Sequence, residues 1–129
     1  MPSNTLNIEE MYVVYQLKLV QEKAYFGTTP SWRKQTRLLE HRDGGGAKWT
    51  ARFPPVEHDP IVQTWNFPTR DEAYRFEEQV VKDYLMVHGI DSARGGMCNF
   101  GDVGGYRMWV PKGLRNLVPL EYNWNGNDS

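Results

Sequence analysis

Two short apolar runs with a polar connection between them constrain this chain more than any other stretch. From Val13 to Leu19, the apolar Val13, Tyr15, Leu17 and Leu19 alternate with Val14, Gln16 and Lys18. A period of two is the pattern of a strand with one buried face. Val20 to Lys23 is polar enough to turn, and Ala24 to Thr28 reads as the returning strand of a hairpin. Loop length then decides which side chains share a face. A two-residue loop at Gln21-Glu22 pairs Lys18 with Tyr25 and puts Tyr25 on the face opposite Tyr15. A three-residue loop, Val20 to Glu22, pairs Leu17 with Tyr25 and puts both tyrosines on one face. Both loops are compatible with the sequence, and only the second lets the two tyrosines serve one site.

The remaining elements follow in order. Pro30 and Ser31 punctuate, and Ser31 is placed to N-cap a helix from Trp32 to about His41. Gly44-Gly45-Gly46 ends that helix and opens a loop that includes Lys48-Trp49-Thr50. Ile61 to Phe67 reads as a third strand. Thr69-Arg70-Asp71-Glu72 fits a capping box, with a helix running to about Val87 and stopping near Gly89. Beyond it lies Ile90-Asp91-Ser92-Ala93-Arg94-Gly95-Gly96, to which no element is assigned, and a Gly-rich tail follows. The expected fold class is α/β, a small, mainly antiparallel three-stranded sheet flanked by helices. The expected organisation is a leader over 1–10, one domain over 11–100 and a partly packed extension over 101–129 whose end is disordered.

Composition narrows the function classes. A length of 129 residues suits one domain with one core. Its single cysteine, Cys98, rules out an internal disulfide and points to an intracellular setting, cytoplasmic or nuclear. No apolar run approaches the roughly 20 residues of a membrane span. A net charge of −1 argues against a general nucleic-acid coat protein. The charge is uneven, however. Between Trp32 and Arg52 stand Arg33, Lys34, Arg37, Arg42, Lys48 and Arg52 against only Glu40 and Asp43.

Three groups of residues suggest chemistry. At about 100° per residue, Glu77 falls inside the apolar arc of Ala73, Phe76, Val80, Val81 and Tyr84, whereas Glu78, Gln79 and Lys82 fall outside it. A carboxylate is rarely buried unless it is paired, hydrogen-bonded or holding a metal. A structural ion pair is the plainer reading of Glu77 alone. Arg37 and His41, spaced i, i+4, share one helix face, and each has an ordinary surface reading. Tyr15 and Tyr25 are equally compatible with half-buried core positions.

Taken in chain order, Tyr15, then Tyr25-Phe26-Gly27, then Arg37 with His41, then Glu77 resemble the GIY-YIG nuclease family. Val13-Val14-Tyr15 is similar to the first signature of that family and Tyr25-Phe26-Gly27 to the second. Val13, Val14 and Phe26 replace its usual glycine and isoleucines without removing a reacting group. The resemblance extends from about Tyr12 to Phe100. It implies hydrolysis of a nucleic-acid phosphodiester, with DNA the foremost substrate and RNA the alternative, by a monomer or transient homodimer away from any membrane. It also implies Mg2+ or Mn2+ held at Glu77. Tyr15 would be the general base, Arg37 the phosphate fork, His41 a hydrogen-bond partner or proton relay, and Tyr25 a positioning group. Gly27 would permit close backbone approach. Arg33, Lys34, Arg42, Lys48, Trp49 and Arg52 would contact the nucleic acid. The rival readings are a binding module of the same fold without turnover, and a protein-interaction domain using Trp49, Tyr106 and Trp109.

Overall fold

The computed structural model describes residues 10–95. The expected leader, Glu10 apart, and the 101–129 extension, with Tyr106 and Trp109, lie outside the described residues. Strands β1 (Tyr12–Lys18) and β2 (Ala24–Pro30) form the hairpin. Tyr15 stands opposite Gly27 and Leu17 opposite Tyr25, so the three-residue loop is the one used. Gln21 and Glu22 both take left-handed φ values of 60° in that loop. Non-glycine residues adopt such values uncommonly. Outside contacts hold the turn: Val20 N–H donates to Pro54 O at 2.9 Å, and Lys23 Nζ donates to Asp91 O at 2.7 Å.

After a single 3-10 turn over Ser31–Arg33 come α1 (Lys34–Arg42) and the short α2 (Lys48–Arg52). Then follow β3 (Ile61–Phe67), α3 (Arg70–His88) and β4 (Ala93–Gly95). The sheet order is β3-β1-β2-β4. β1 pairs antiparallel with both β2 and β3, and β4 joins β2 in parallel. The sheet therefore has four strands, not three, and is mixed. Three residues are too few for an alternation to be read, which is why β4 is invisible in the sequence.

The central hairpin is covered on both sides, which corrects the expectation of one buried face. Tyr15, Leu17, Leu19 and Tyr25 pack with Trp49 and Phe53, with Leu38 and Ala47 at the margin. On the opposite face, Ala24 and Phe26 pack with Val81, Leu85, Ile90 and Ala93. Val14 is fully buried as well. Helix α3 begins where the capping pattern places it, with Glu72 N–H donating to Thr69 Oγ1 at 3.2 Å. Its buried stripe is Ala73, Glu77, Val81 and Leu85, one residue per turn.

Two local expectations change. Ser31 does not cap α1, because the chain leaves Pro30 through the 3-10 turn and the α-helix starts three residues later. Residues 48–52 are a helix and not a loop. Trp49, expected on the nucleic-acid surface, is buried. Its Nε1 donates to Ala24 O at 2.9 Å, and the buried Arg94 guanidinium lies 4.3 Å from its ring centroid. Trp49 thus clamps α2 against the β2–β4 edge. Trp49→Ala should cost about 3–5 kcal/mol of stability in urea unfolding, as for other buried tryptophans. A loss below about 1 kcal/mol would return Trp49 to a surface role.

Candidate active site

The register of the hairpin brings the tyrosines together. Tyr15 and Tyr25 lie on one face of the sheet, with ring centroids 6.4 Å apart. Helix α1 lays His41 against both, at centroid separations of 5.8 Å and 4.8 Å. Gly27 lies opposite Tyr15, and a Cβ there would coincide with the Tyr15 hydroxyl and ring. Glycine at this position makes room for the Tyr15 phenol itself. Gly46 does the same for His41, whose Nδ1 occupies the space a Cβ would take.

The hydrogen bonds assign a donor and an acceptor along the chain Tyr15, His41 and Thr50. Tyr15 OH lies 2.8 Å from His41 Nε2. His41 Nδ1 lies 3.0 Å from Thr50 Oγ1, and Thr50 Oγ1 donates to Ala47 O at 3.0 Å. A hydroxyl has one proton, and that of Thr50 is committed to the Ala47 carbonyl. Thr50 therefore accepts from His41, so neutral His41 carries its proton on Nδ1. Its Nε2 is the acceptor, and Tyr15 is the donor. Burial, reinforced by the Arg37 charge, pushes His41 down to about 4. It is neutral at pH 7.

Arg37 sits half-buried beside both phenols and lowers the pKa of each, but burial outweighs it, and both are raised from the ordinary value. The expectation that neighbouring cations would favour a Tyr15 phenolate is corrected here: Arg37 acts in the expected sense and desolvation wins. Neighbouring negative charge adds to the rise, from Glu77 at both phenols and from Tyr25 at Tyr15.

Glu77 approaches from the other layer. It is 4% exposed on α3, and Thr28 Oγ1 donates to its Oε1. Thr28 follows Gly27 on β2 and points to the α3 side. β4 covers β2 only from Ala24 to Phe26. The cluster thus straddles β2 from Tyr25, which pairs with Arg94 of β4, to Thr28, past the end of β4: tyrosines, Arg37 and His41 lie on one side and Glu77 on the other.

Among the expected cationic contacts, Arg42, Lys48 and Arg52 are exposed and Arg33 and Lys34 half-buried. Arg33 is held to Glu40 at 2.8 Å, and the other oxygen of Glu40 holds Arg37 at 2.9 Å. The sequence reading missed Glu40, Thr50 and Gly46. Glu40 was legible as an i, i+3 partner of Arg37. Thr50 and Gly46 carried no signal, because α2 and its approach were read as loop.

The buried histidine makes a pH test available. Its folded pKa lies below the unfolded value near 6.5, so the unfolded chain binds the extra proton first. Its contribution is complete above pH 6.5 and is lost as pH falls towards 4. The loss should be on the order of 2–3 kcal/mol. Urea midpoints measured at pH 7 and 4.5 should separate for the parent and converge for His41→Gln. An equal pH dependence in both proteins would mean that His41 is not the group responsible.

No protein-family model matches the chain, and no solved structure matches it. Over 69 residues the chain is 35% identical to a UPF0213 protein of Halalkalibacterium halodurans. The match takes in 54% of this chain and 68% of that protein. By that identity and coverage, the chain belongs to the UPF0213 family.

Proposed function

We propose that this protein is a metal-dependent phosphodiesterase that cuts a nucleic-acid strand, DNA foremost, by chemistry of the GIY-YIG type. The observation that carries the reading is the Tyr15–His41 hydrogen bond, 2.8 Å long, on the same sheet face as Tyr25. It stands beside Arg37 and around the strand edge from a buried carboxylate. A core serving only stability gains little from enclosing two phenols, an imidazole and a carboxylate around one strand segment.

The donors near Glu77 fit the proposed Mg2+ or Mn2+. They are a carboxylate and the Thr28 hydroxyl, both hard oxygen groups. No group of three or more His, Cys, Asp or Glu side chains gathers among the described residues. A single carboxylate suits a cation that keeps much of its water. When bound, such an ion supplies Lewis-acid stabilisation of the leaving oxygen and offsets the Glu77 charge that opposes ionisation of the phenols.

The protein groups divide the remaining work. Tyr15 oxygen accepts the proton of the attacking water as its own proton passes to His41 Nε2. No standing phenolate is needed, which suits the raised Tyr15 pKa. His41 is a weak base at rest, and the anionic phosphate beside it strengthens it when substrate is present. Thr50 keeps the imidazole in the required tautomer. Arg37 exchanges Glu40 for a non-bridging phosphate oxygen, and its planar fork suits the charge that develops there. Tyr25 orients the phosphate or the water.

Incubation with linear, nicked, branched and single-stranded DNA and RNA, with and without Mg2+ or Mn2+, tests the reading. Metal-dependent cleavage of at least one substrate is expected. Glu77→Gln should abolish it while leaving the fold intact, and Glu78→Gln should be close to neutral. Parental rates in Glu77→Gln would make Glu77 structural. Arg37→Lys should lose roughly two to three powers of ten in rate. Tyr15→Phe should lose about two to four, and Tyr25→Phe less. Normal turnover with weakened binding in Arg37→Lys would make Arg37 a positioning contact.

A further inference from the structure

Trp32 is 70% exposed, far more than any other tryptophan among the described residues. An indole is usually packed against something for most of its area. This one stands in the 3-10 turn Ser31–Arg33, which joins β2, carrying Gly27 and Thr28, directly to α1, carrying Arg37 and His41. Its place is therefore fixed relative to both halves of the candidate site. Its sequence neighbour Arg33 donates to Glu40 at 2.8 Å, and Glu40 accepts from Arg37 at 2.9 Å. A row of guanidinium, carboxylate and guanidinium thus runs from the residue next to Trp32 in the chain to the site.

The chemistry of that row selects its partner. Arg33, Lys34 and Arg37 outnumber Glu40, so the row carries net positive charge beside one flat aromatic face. Of the nearest residues in the chain, Ser31, Arg33, Lys34, Gln35 and Thr36 are polar or charged, and Pro30 is the one apolar neighbour. The exposed Leu39 lies instead in a separate apolar groove with Leu17, Leu38, Pro55 and Ile61. A lone π-face in a cationic setting lacks the contiguous apolar patch that protein partners use. It matches an anionic backbone with an unpaired base to stack.

We propose that Trp32 is a stacking platform for an unpaired base flanking the scissile phosphate, so that the preferred substrate presents a single-stranded segment at the site. Arg33 holds the neighbouring phosphate once the substrate displaces Glu40. The catalytic part of this proposal rests on the phosphodiesterase reading, whereas the binding part is tested without turnover.

Binding of labelled oligo-dT and of a blunt duplex is measured by fluorescence anisotropy in EDTA, with the full chain, Trp32→Ala and Trp32→Phe. Circular dichroism checks that each variant is folded. Stacking of one base predicts that Trp32→Ala weakens single-strand binding about tenfold or more. Trp32→Phe should stay within about threefold of the parent, and duplex binding should change little. Anionic phosphatidylserine vesicles serve as the competing partner. Unchanged oligo-dT binding in Trp32→Ala overturns the proposal, and so does an equal loss for duplex. Vesicle binding that depends on Trp32 while oligo-dT binding does not also overturns it. If oligo-dT binding depends on Trp32 but no substrate is cut, the phosphodiesterase reading fails and the stacking platform stands.

Discussion

The pairing of Leu17 with Tyr25 is the constraint on which the rest depends. Side chains alternate with a period of two, so a slip of one residue would send every β2 side chain to the other face. Tyr25 would then enter the α3 core, and Phe26 would be thrust towards His41. Gly27 would no longer make room for the Tyr15 ring. The turn that sets this register contains no glycine and places Gln21 and Glu22 in left-handed conformations. Its own residues do not favour that geometry. The 54–60 segment and Asp91 hold it from outside.

Burial of polar groups follows a consistent logic once the register is set. Among the described residues, Glu77, His41 and Arg94 are buried ionisable side chains besides the two tyrosines, and each meets a specific partner. Glu77 accepts from Thr28, His41 bridges Tyr15 and Thr50, and Arg94 donates to the carbonyls of Ile90 and Ala93 while facing Trp49. Unpartnered, each would cost several kcal/mol. Arg94 also pairs with Asp91 at 3.5 Å, and these partners tie the Ile90–Arg94 segment to α2 through Trp49. Tyr15, His41 and Glu77 differ in lying around one short length of strand where β4 has ended.

The electrostatics of that strand segment are balanced against spontaneous ionisation. Burial raises both phenols and lowers the imidazole, so the resting cluster is largely neutral on the tyrosine side. Arg37 is held by Glu40, and both are half-buried. In the proposed role, an incoming phosphate group opposes ionisation of the phenols further, as Glu77 does, but acts favourably on Arg37 and His41. It replaces Glu40 on Arg37 and favours a proton on His41. That sensitivity to an anionic ligand is a physical property of the arrangement, whatever the ligand.

Much of this was legible in the sequence. Alternation over Val13–Leu19 marked the hairpin, the Thr69–Glu72 pattern fixed the start of α3, and helical periodicity placed Glu77 on a buried arc. The i, i+4 spacing put Arg37 and His41 on one face. These are local signals, set by periods of 2 and 3.6 that each segment carries alone. Tertiary structure decided the rest. It chose between two hairpin loops of similar sequence compatibility, because contacts from residues 54–60 and Asp91 are far away in the chain. It made a strand of Ala93–Gly95, whose three residues show no pattern until β2 pairs with them. It took Trp49 out of the basic surface and into the core, since five helical residues between glycines and prolines carry too little periodicity to show a face. It also chose the His41 tautomer, which depends on where Thr50 sends a single proton.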